Sequence, residues 1–275
     1  MLCFPRLGDY GYLGNAMFQY SALIGIAEKL GYNPVYDFEK TGTMATLHEH
    51  FNLTKVENLP AWEQVHSSKR IWKEPHFHFC EEAFSPETIR ENTGLNGYFQ
   101  SEKYFKHIEN DIRSEFKFSD EIQKDCDSKI KQIKDSVEDC VTVGVHVRLG
   151  DYKSLEHFYV PLLKTPYYRT AIDLMNQKEE KKVVCVIFSD EIEMCRQFFQ
   201  GSNFAFAEGG SPAEDMCLMS KCDHNIIANS SFSWWGAWLN ENENKQVIAP
   251  QVWFTPNEKE QKDIKDLYCE NWTIV

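Results

Sequence analysis

The spacing of apolar residues changes along the chain, and each change marks an element. From Ala16 to Leu30 they recur at helical spacing (Met17, Phe18, Tyr20, Leu23, Ile24, Ala27, Leu30), and Gly31 with Pro34 closes the run. Residues 1–7 and 35–37 read as short strands on either side, so the amino terminus predicts a strand–helix–strand unit whose loop carries Gly8, Gly11 and Gly14. Residues 41–91 are poorly patterned. Residues 97–100 read as a short strand, and Ser101 as the cap of a helix carrying Tyr104, Phe105, Ile108 and Ile112. Residues 119–139 are dense in charge, with Ile122, Ile130, Ile133 and Val137 as a sparse apolar face, the pattern of an exposed connecting helix.

The densest apolar run is built on Val141, Val143, Val145 and Val147, β-branched residues suited to a strand buried in a parallel sheet. It stops on His146, Arg148, Gly150 and Asp151, and the carboxyl ends of strands are where open α/β sheets bind ligands. Beyond it the alternation is regular. Thr165-Pro166 opens a helix; 183–188 is a strand ending in Ser189-Asp190-Glu191; 203–207 is the next strand; and Ser211-Pro212 opens a helix with Met216, Met219 and Cys222. Residues 225–228 end in Asn229-Ser230-Ser231, a helix with Phe232, Trp235 and Trp238 follows, and 247–249 is a final strand. Such alternation predicts an α/β protein with doubly wound parallel sheets, divided into a domain at 1–118, a charged helical connector at 119–139 and a domain at 140–275.

Composition narrows the function. A length of 275 residues with 42% hydrophobic content is ample for two cores, and a net charge of −13 argues against a general nucleic-acid surface. No apolar run approaches the roughly 20 residues that span a bilayer, and the start lacks the pattern of a secretory signal, so a cytoplasmic location is expected. Nine cysteines without a CxxC pair read as reduced core thiols. His48 and His50, or His76 and His78, match no metal-ligand spacing, and no metal is expected.

Three strand ends of the second half would share one edge of the sheet. Arg148 offers a planar fork of donors for phosphate, or an ordinary ion pair; His146 is a site residue or a core residue. Asp190 suits the paired N–H donors of a guanine edge, or caps the next helix. Asn229, Ser230 and Ser231 offer hydroxyls and a helix amino terminus to a diphosphate, or are plain caps. Phe232 is placed to stack on a base or sugar, whereas Trp235 and Trp238 read as core.

Taken together, the segments Gly11-Tyr12-Leu13-Gly14-Asn15-Ala16-Met17-Phe18-Gln19-Tyr20, Gly97-Tyr98-Phe99-Gln100-Ser101-Glu102-Lys103-Tyr104-Phe105, His146-Val147-Arg148-Leu149-Gly150-Asp151-Tyr152, Phe188-Ser189-Asp190-Glu191, Asp215-Met216-Cys217-Leu218-Met219-Ser220 and Asn229-Ser230-Ser231-Phe232-Ser233-Trp234-Trp235 resemble the alpha-1,2-fucosyltransferase family, in that family's order and its bacterial form. The resemblance implies a GT-B architecture of two Rossmann-like domains facing a cleft. It also implies metal-independent, inverting transfer of L-fucose from GDP-β-L-fucose to a galactose-containing glycan, with no cofactor. It puts Arg148, Ser231 and Phe232 against the donor diphosphate, Asp190 on guanine and Asn15 at the reacting centre. Gly14, His146, Ser189, Asn229 and Ser230 complete the expected donor-binding set, and Asp151 beside the arginine is a candidate catalytic group. The family usually has glutamine where this chain has Ala16, which bears on acceptor recognition. An oligosaccharide acceptor, compatible with a lipid-linked form and peripheral membrane association, is the expected partner.

Overall fold

A computed structural model describes residues 1–38, 46–259 and 262–275. The chain divides into two compact units, 1–117 with 262–269 and 118–261 with 270–275. In the first, β1 (Leu2–Cys3) leads through the glycine loop to α1 (Leu13–Leu30), then β2 (Pro34–Tyr36), β3 (Glu57–Asn58), α2 (Ala61–Ser67), β4 (Arg70–Lys73), β5 (Thr93–Asn96) and α3 (Glu109–Glu115). The strands form one sheet in the order β3-β2-β1-β5-β4, parallel throughout. The helix α1 ends as its sequence requires, with Gly31 left-handed (φ 69°) and its N–H returned to Ala27 and Glu28 carbonyls.

The poorly patterned stretch supplies β3, α2 and β4, strands too short for a period to show; its residues 41–45 lie outside the described residues. Residues 97–100, expected as a strand, are a turn instead. The Glu74 carboxylate takes the N–H groups of Tyr98 (2.8 Å) and Phe99 (3.0 Å), which removes them from any ladder. Phe99 sits there at φ 53°, a conformation costing a bulky residue on the order of 1–3 kcal/mol.

In the second unit, α4 (Asp120–Ser136) precedes β6 (Cys140–Val147), α5 (Tyr167–Lys178), β7 (Lys182–Ser189), α6 (Ile192–Phe198), β8 (Phe204–Phe206), α7 (Pro212–Ser220), β9 (His224–Ile226), α8 (Ser231–Leu239), β10 (Val247–Ala249) and β11 (Thr273–Ile274). The sheet order is β11-β10-β9-β6-β7-β8, again parallel. The charged helix α4 belongs to this unit, with Cys126 and Ile130 buried, whereas it was expected as a separate connector. The valine-rich β6 lies mid-sheet; Val143, Val145 and Val147 pack with Ile187, Ala171, Met175, Ile226 and Ile248 in one core.

The aromatic helix α8 is buried over most of its surface, as an apolar helix without a polar face must be. Trp234 meets Trp235 edge to face at 5.0 Å and packs on Trp272 at 5.5 Å. Lys245 donates to the carbonyls of Ala237 and Trp238 at the end of the helix, where a cation also opposes the dipole. No described helix is long and apolar enough to cross a membrane, and the nine cysteines are free thiols.

Close backbone approach fixes one glycine that periodicity would pass over. A Cβ on Gly25 of α1 would lie 2.0 Å from the Tyr104 carbonyl oxygen. Alanine raises helix propensity by about 1 kcal/mol, but overpacking against backbone costs about 1–3 kcal/mol, so the clash dominates. Gly25→Ala is expected to lower the thermal midpoint by several degrees in calorimetry; an unchanged or raised midpoint would contradict this packing.

Candidate active site

β6 and β7 run in register to Val147↔Ser189, so the residues that follow them emerge side by side. One terminal nitrogen of Arg148 lies 2.7 Å from Asp151 Oδ1 and the other 3.0 Å from Asp190 Oδ2. The Leu149 N–H donates to the second oxygen of Asp190 at 3.0 Å. Gly150 is needed for this arrangement, because a Cβ there would fall 2.5 Å from Asp190 Oδ2 and displace the carboxylate. With the Arg148 side chain only 19% exposed, this is a partly buried triad, in which geometry matters more than at a surface pair. One cation against two anions leaves the cluster with a net negative charge.

The loop after β6 is tied to the loop after β9. Tyr152 donates its hydroxyl to the Asn229 carbonyl at 2.9 Å and stacks on Tyr159 at 4.1 Å. The Asn229 amide donates to the carbonyls of Val160 and Trp253, both at 2.9 Å, so it braces the loop. Ser233 accepts the Ala228 N–H at 3.1 Å. Ser230 and Ser231 begin α8, and Phe232 lies with its ring 5.4 Å from His146. Ser189 accepts the Glu191 N–H at 3.0 Å.

His146 is fully buried, and burial with the nearby Arg148 pushes its pKa down to about 3, so the imidazole is neutral. Its Nδ1 meets no hydrogen-bond partner among the described residues.

Nine of the expected site residues thus gather at the carboxyl edge of the second sheet: His146, Arg148, Asp151, Ser189, Asp190, Asn229, Ser230, Ser231 and Phe232. Within the protein, Asp190 pairs with Arg148 and accepts the Leu149 N–H, and Asn229 has both amide hydrogens on backbone carbonyls.

Gly14 and Asn15 belong to the first unit, in the first turn of α1. Asn15 donates to the Tyr10 carbonyl (3.4 Å) and accepts from the Gln100 amide (2.8 Å). Gly11, at φ 85°, leaves room for it, since a Cβ there would lie 2.0 Å from Asn15 Nδ2. Gln19 joins the Gly8 N–H (3.0 Å) to the Gly97 carbonyl (2.9 Å). Ala16 is fully buried, so a glutamine in its place would be enclosed by this packing.

Sequence reasoning missed Asp215, in the first turn of α7 and so at the carboxyl edge of the same sheet. Its carboxylate makes no hydrogen bond or ion pair among the described residues, and burial with neighbouring Glu214 raises its pKa to about 6. The signal was available: the capping box of Ser211 and Glu214 accounts for Glu214 and leaves the next acid without a structural duty. Among the described residues no three His, Cys, Asp or Glu side chains form a metal-sized group.

Two parallel-sheet α/β units with polar side chains at the carboxyl edge of the second place the protein in the GT-B class of glycosyltransferase folds. The model of glycosyl transferase family 11 matches residues 8–275, and the chain belongs to that family. An alpha-1,2-colitosyltransferase of Escherichia coli is 32% identical, over 96% of this chain and 96% of its own. The galactoside alpha-(1,2)-fucosyltransferase 1 of Saimiri boliviensis boliviensis is 28% identical over 90% of this chain and 71% of its own. Among solved structures, POFUT1 in complex with GDP-fucose aligns with a TM-score of 0.57 at 12% identity, over 90% of this chain and 97% of that one, a likeness of fold. The family resemblance carried by the sequence segments is borne out.

A histidine with pKa 6.5 unfolded and about 3 folded binds fewer protons in the native state, so its stabilising contribution is present above pH 6.5 and is lost as pH falls toward 3. Denaturant unfolding at pH 7 and pH 4.5 is expected to show His146→Asn losing about 2 kcal/mol less than wild type on acidification. Equal losses in the two proteins would mean that His146 titrates normally.

Proposed function

We propose that the protein is an inverting alpha-1,2-fucosyltransferase that moves L-fucose from GDP-β-L-fucose to a galactose hydroxyl of an oligosaccharide. The observation that carries this reading is the guanidinium of Arg148, fixed by Asp151 and Asp190 at the carboxyl edge of the second sheet. Membership of family 11 and the printed activities of its relatives support it.

In the reaction the acceptor oxygen bonds to the anomeric carbon of fucose as the bond from that carbon to the β-phosphate oxygen breaks. GDP leaves with the bonding pair, and the hydroxyl proton passes to solvent or a base. Negative charge grows on the β-phosphate, so a fixed cation there lowers the barrier. Arg148 supplies it, exchanging a carboxylate contact for the diphosphate, and the amino terminus of α8 at Ser230 and Ser231 adds backbone N–H groups and a positive dipole end. Asp151 stays paired with the guanidinium. His146, neutral and with Nδ1 unpartnered, and Phe232 beside it contribute a polar atom and a ring to the donor pocket. Asp190, released as Arg148 turns to the diphosphate, takes the paired N–H donors of guanine, and Asp215 is a second acid at the same sheet edge. Asn15, set by Gln100, serves the reacting centre.

Colitose is the second reading for the donor sugar, favoured by the 32% identical colitosyltransferase. The transfer needs no metal, and a lipid-linked acceptor with the enzyme peripheral to the inner membrane face is its cellular setting.

Arg148→Ala is expected to reduce acceptor-dependent GDP release on the order of 10²- to 10³-fold, with EDTA present throughout and β-galactosides as acceptors. Activity abolished by EDTA in wild type, or retained in the variant, contradicts the assignment. Competition between GDP-fucose and GDP-colitose decides the sugar.

A further inference from the structure

The sheet of the first unit has its own polar knot at a carboxyl edge, and the mechanism above does not use it. Glu74 follows β4, and one of its oxygens receives two successive N–H groups, from Tyr98 and Phe99. Its other oxygen receives the Tyr104 hydroxyl at 3.2 Å, and that hydroxyl in turn accepts the Cys80 N–H at 3.0 Å. Two adjacent N–H groups on one carboxylate form an anion-binding nest. The nest holds Phe99 in the left-handed region, which only a surrounding structure that over-determines it can maintain. Gly97 is the residue that permits it, because a Cβ there would lie 2.5 Å from Glu74 Cβ and 2.7 Å from Oε2.

The turn so held aims Gln100 at Asn15. Immediately after the strained residue, the Gln100 amide donates to Asn15 Oδ1 at 2.8 Å. The Gly97 carbonyl, at the start of the same turn, receives the Gln19 amide, which also holds Gly8. Glycine loop, head of α1 and turn are therefore one hydrogen-bonded assembly, with a single carboxylate beneath it. Burial raises that carboxyl to about 7, so it is kept against a strong preference for water. A turn needed only to connect β5 to the next segment calls for neither a buried acid nor a left-handed phenylalanine.

We propose that Glu74 is a positioning residue of the transfer reaction: through the Gly97–Gln100 turn it sets the Asn15 carboxamide. This rests on the reading of Asn15 given under the proposed function. Glu74 touches no reacting atom in this account and acts only through Gln100.

The test compares Glu74→Ala, Glu74→Gln, Gln100→Ala and Asn15→Ala in the full chain, measuring kcat, acceptor KM and GDP affinity by calorimetry. Glu74→Ala is expected to lower kcat at least tenfold with GDP affinity unchanged, and Glu74→Gln, which keeps an oxygen for the nest, to recover part of it. In the Asn15→Ala background the Glu74 change should add little, as for residues that act as a unit. Losses that multiply in the double variant, or a parallel fall in GDP affinity, overturn the positioning role while leaving Asn15 in place. An Asn15→Ala enzyme with wild-type kcat overturns the reading of Asn15 and the inference with it. Should Glu74→Ala fail to fold, Gln100→Ala decides: a tenfold loss supports the chain of contacts, and wild-type kcat overturns it.

Discussion

The ion triad of Arg148, Asp151 and Asp190 is the constraint around which the second unit is arranged. A guanidinium with four-fifths of its side-chain surface covered needs compensating charge, and that charge comes from the ends of two neighbouring strands in register. The register brings Asp190 beside Arg148, Gly150 leaves space for the carboxylate, and Tyr152 ties the following loop to Asn229. Each is a requirement of holding one cation still in a partly dry place. The triad carries net negative charge, and the amino terminus of α8, with its free backbone N–H groups, begins at the same edge of the sheet.

The first unit fixes its polar groups by a different device. Where the second fixes a cation with acids, the first fixes neutral amides with one another: Gln19, Gln100 and Asn15 span three backbone segments, and Glu74 anchors the turn among them. Amide networks hold geometry without a strong field.

Much of this was legible in the chain. The valine period of β6 and its stop on His146, Arg148, Gly150 and Asp151 announced both the buried strand and its chemical end, and the strand–helix alternation after it announced a parallel sheet, though not the order of its strands or the closing β11. The turn at 97–100 was not legible as a turn, because its apolar residues look like a strand and the acid that unmakes the strand is more than twenty positions away. The protein partners of Asp190 and Asn229 were hidden for a similar reason. A carboxylate or carboxamide at a strand end advertises hydrogen-bonding capacity, but whether protein or ligand takes it depends on neighbours distant in sequence. Asp215 shows the reverse, an acid that the neighbouring Ser211–Glu214 capping box already left without a structural duty in the sequence, and whose burial the fold then adds.

Arg148 is the proposed diphosphate contact, and its most direct test is calorimetric binding of GDP and of guanosine to the wild type and to Arg148→Lys. If the guanidinium grips the diphosphate, GDP binds at least about tenfold tighter than guanosine in the wild type, a difference of about 1.4 kcal/mol, and the gap narrows in the variant because an ammonium lacks the planar fork. A gap of the same size in both proteins would place the diphosphate elsewhere and contradict the account.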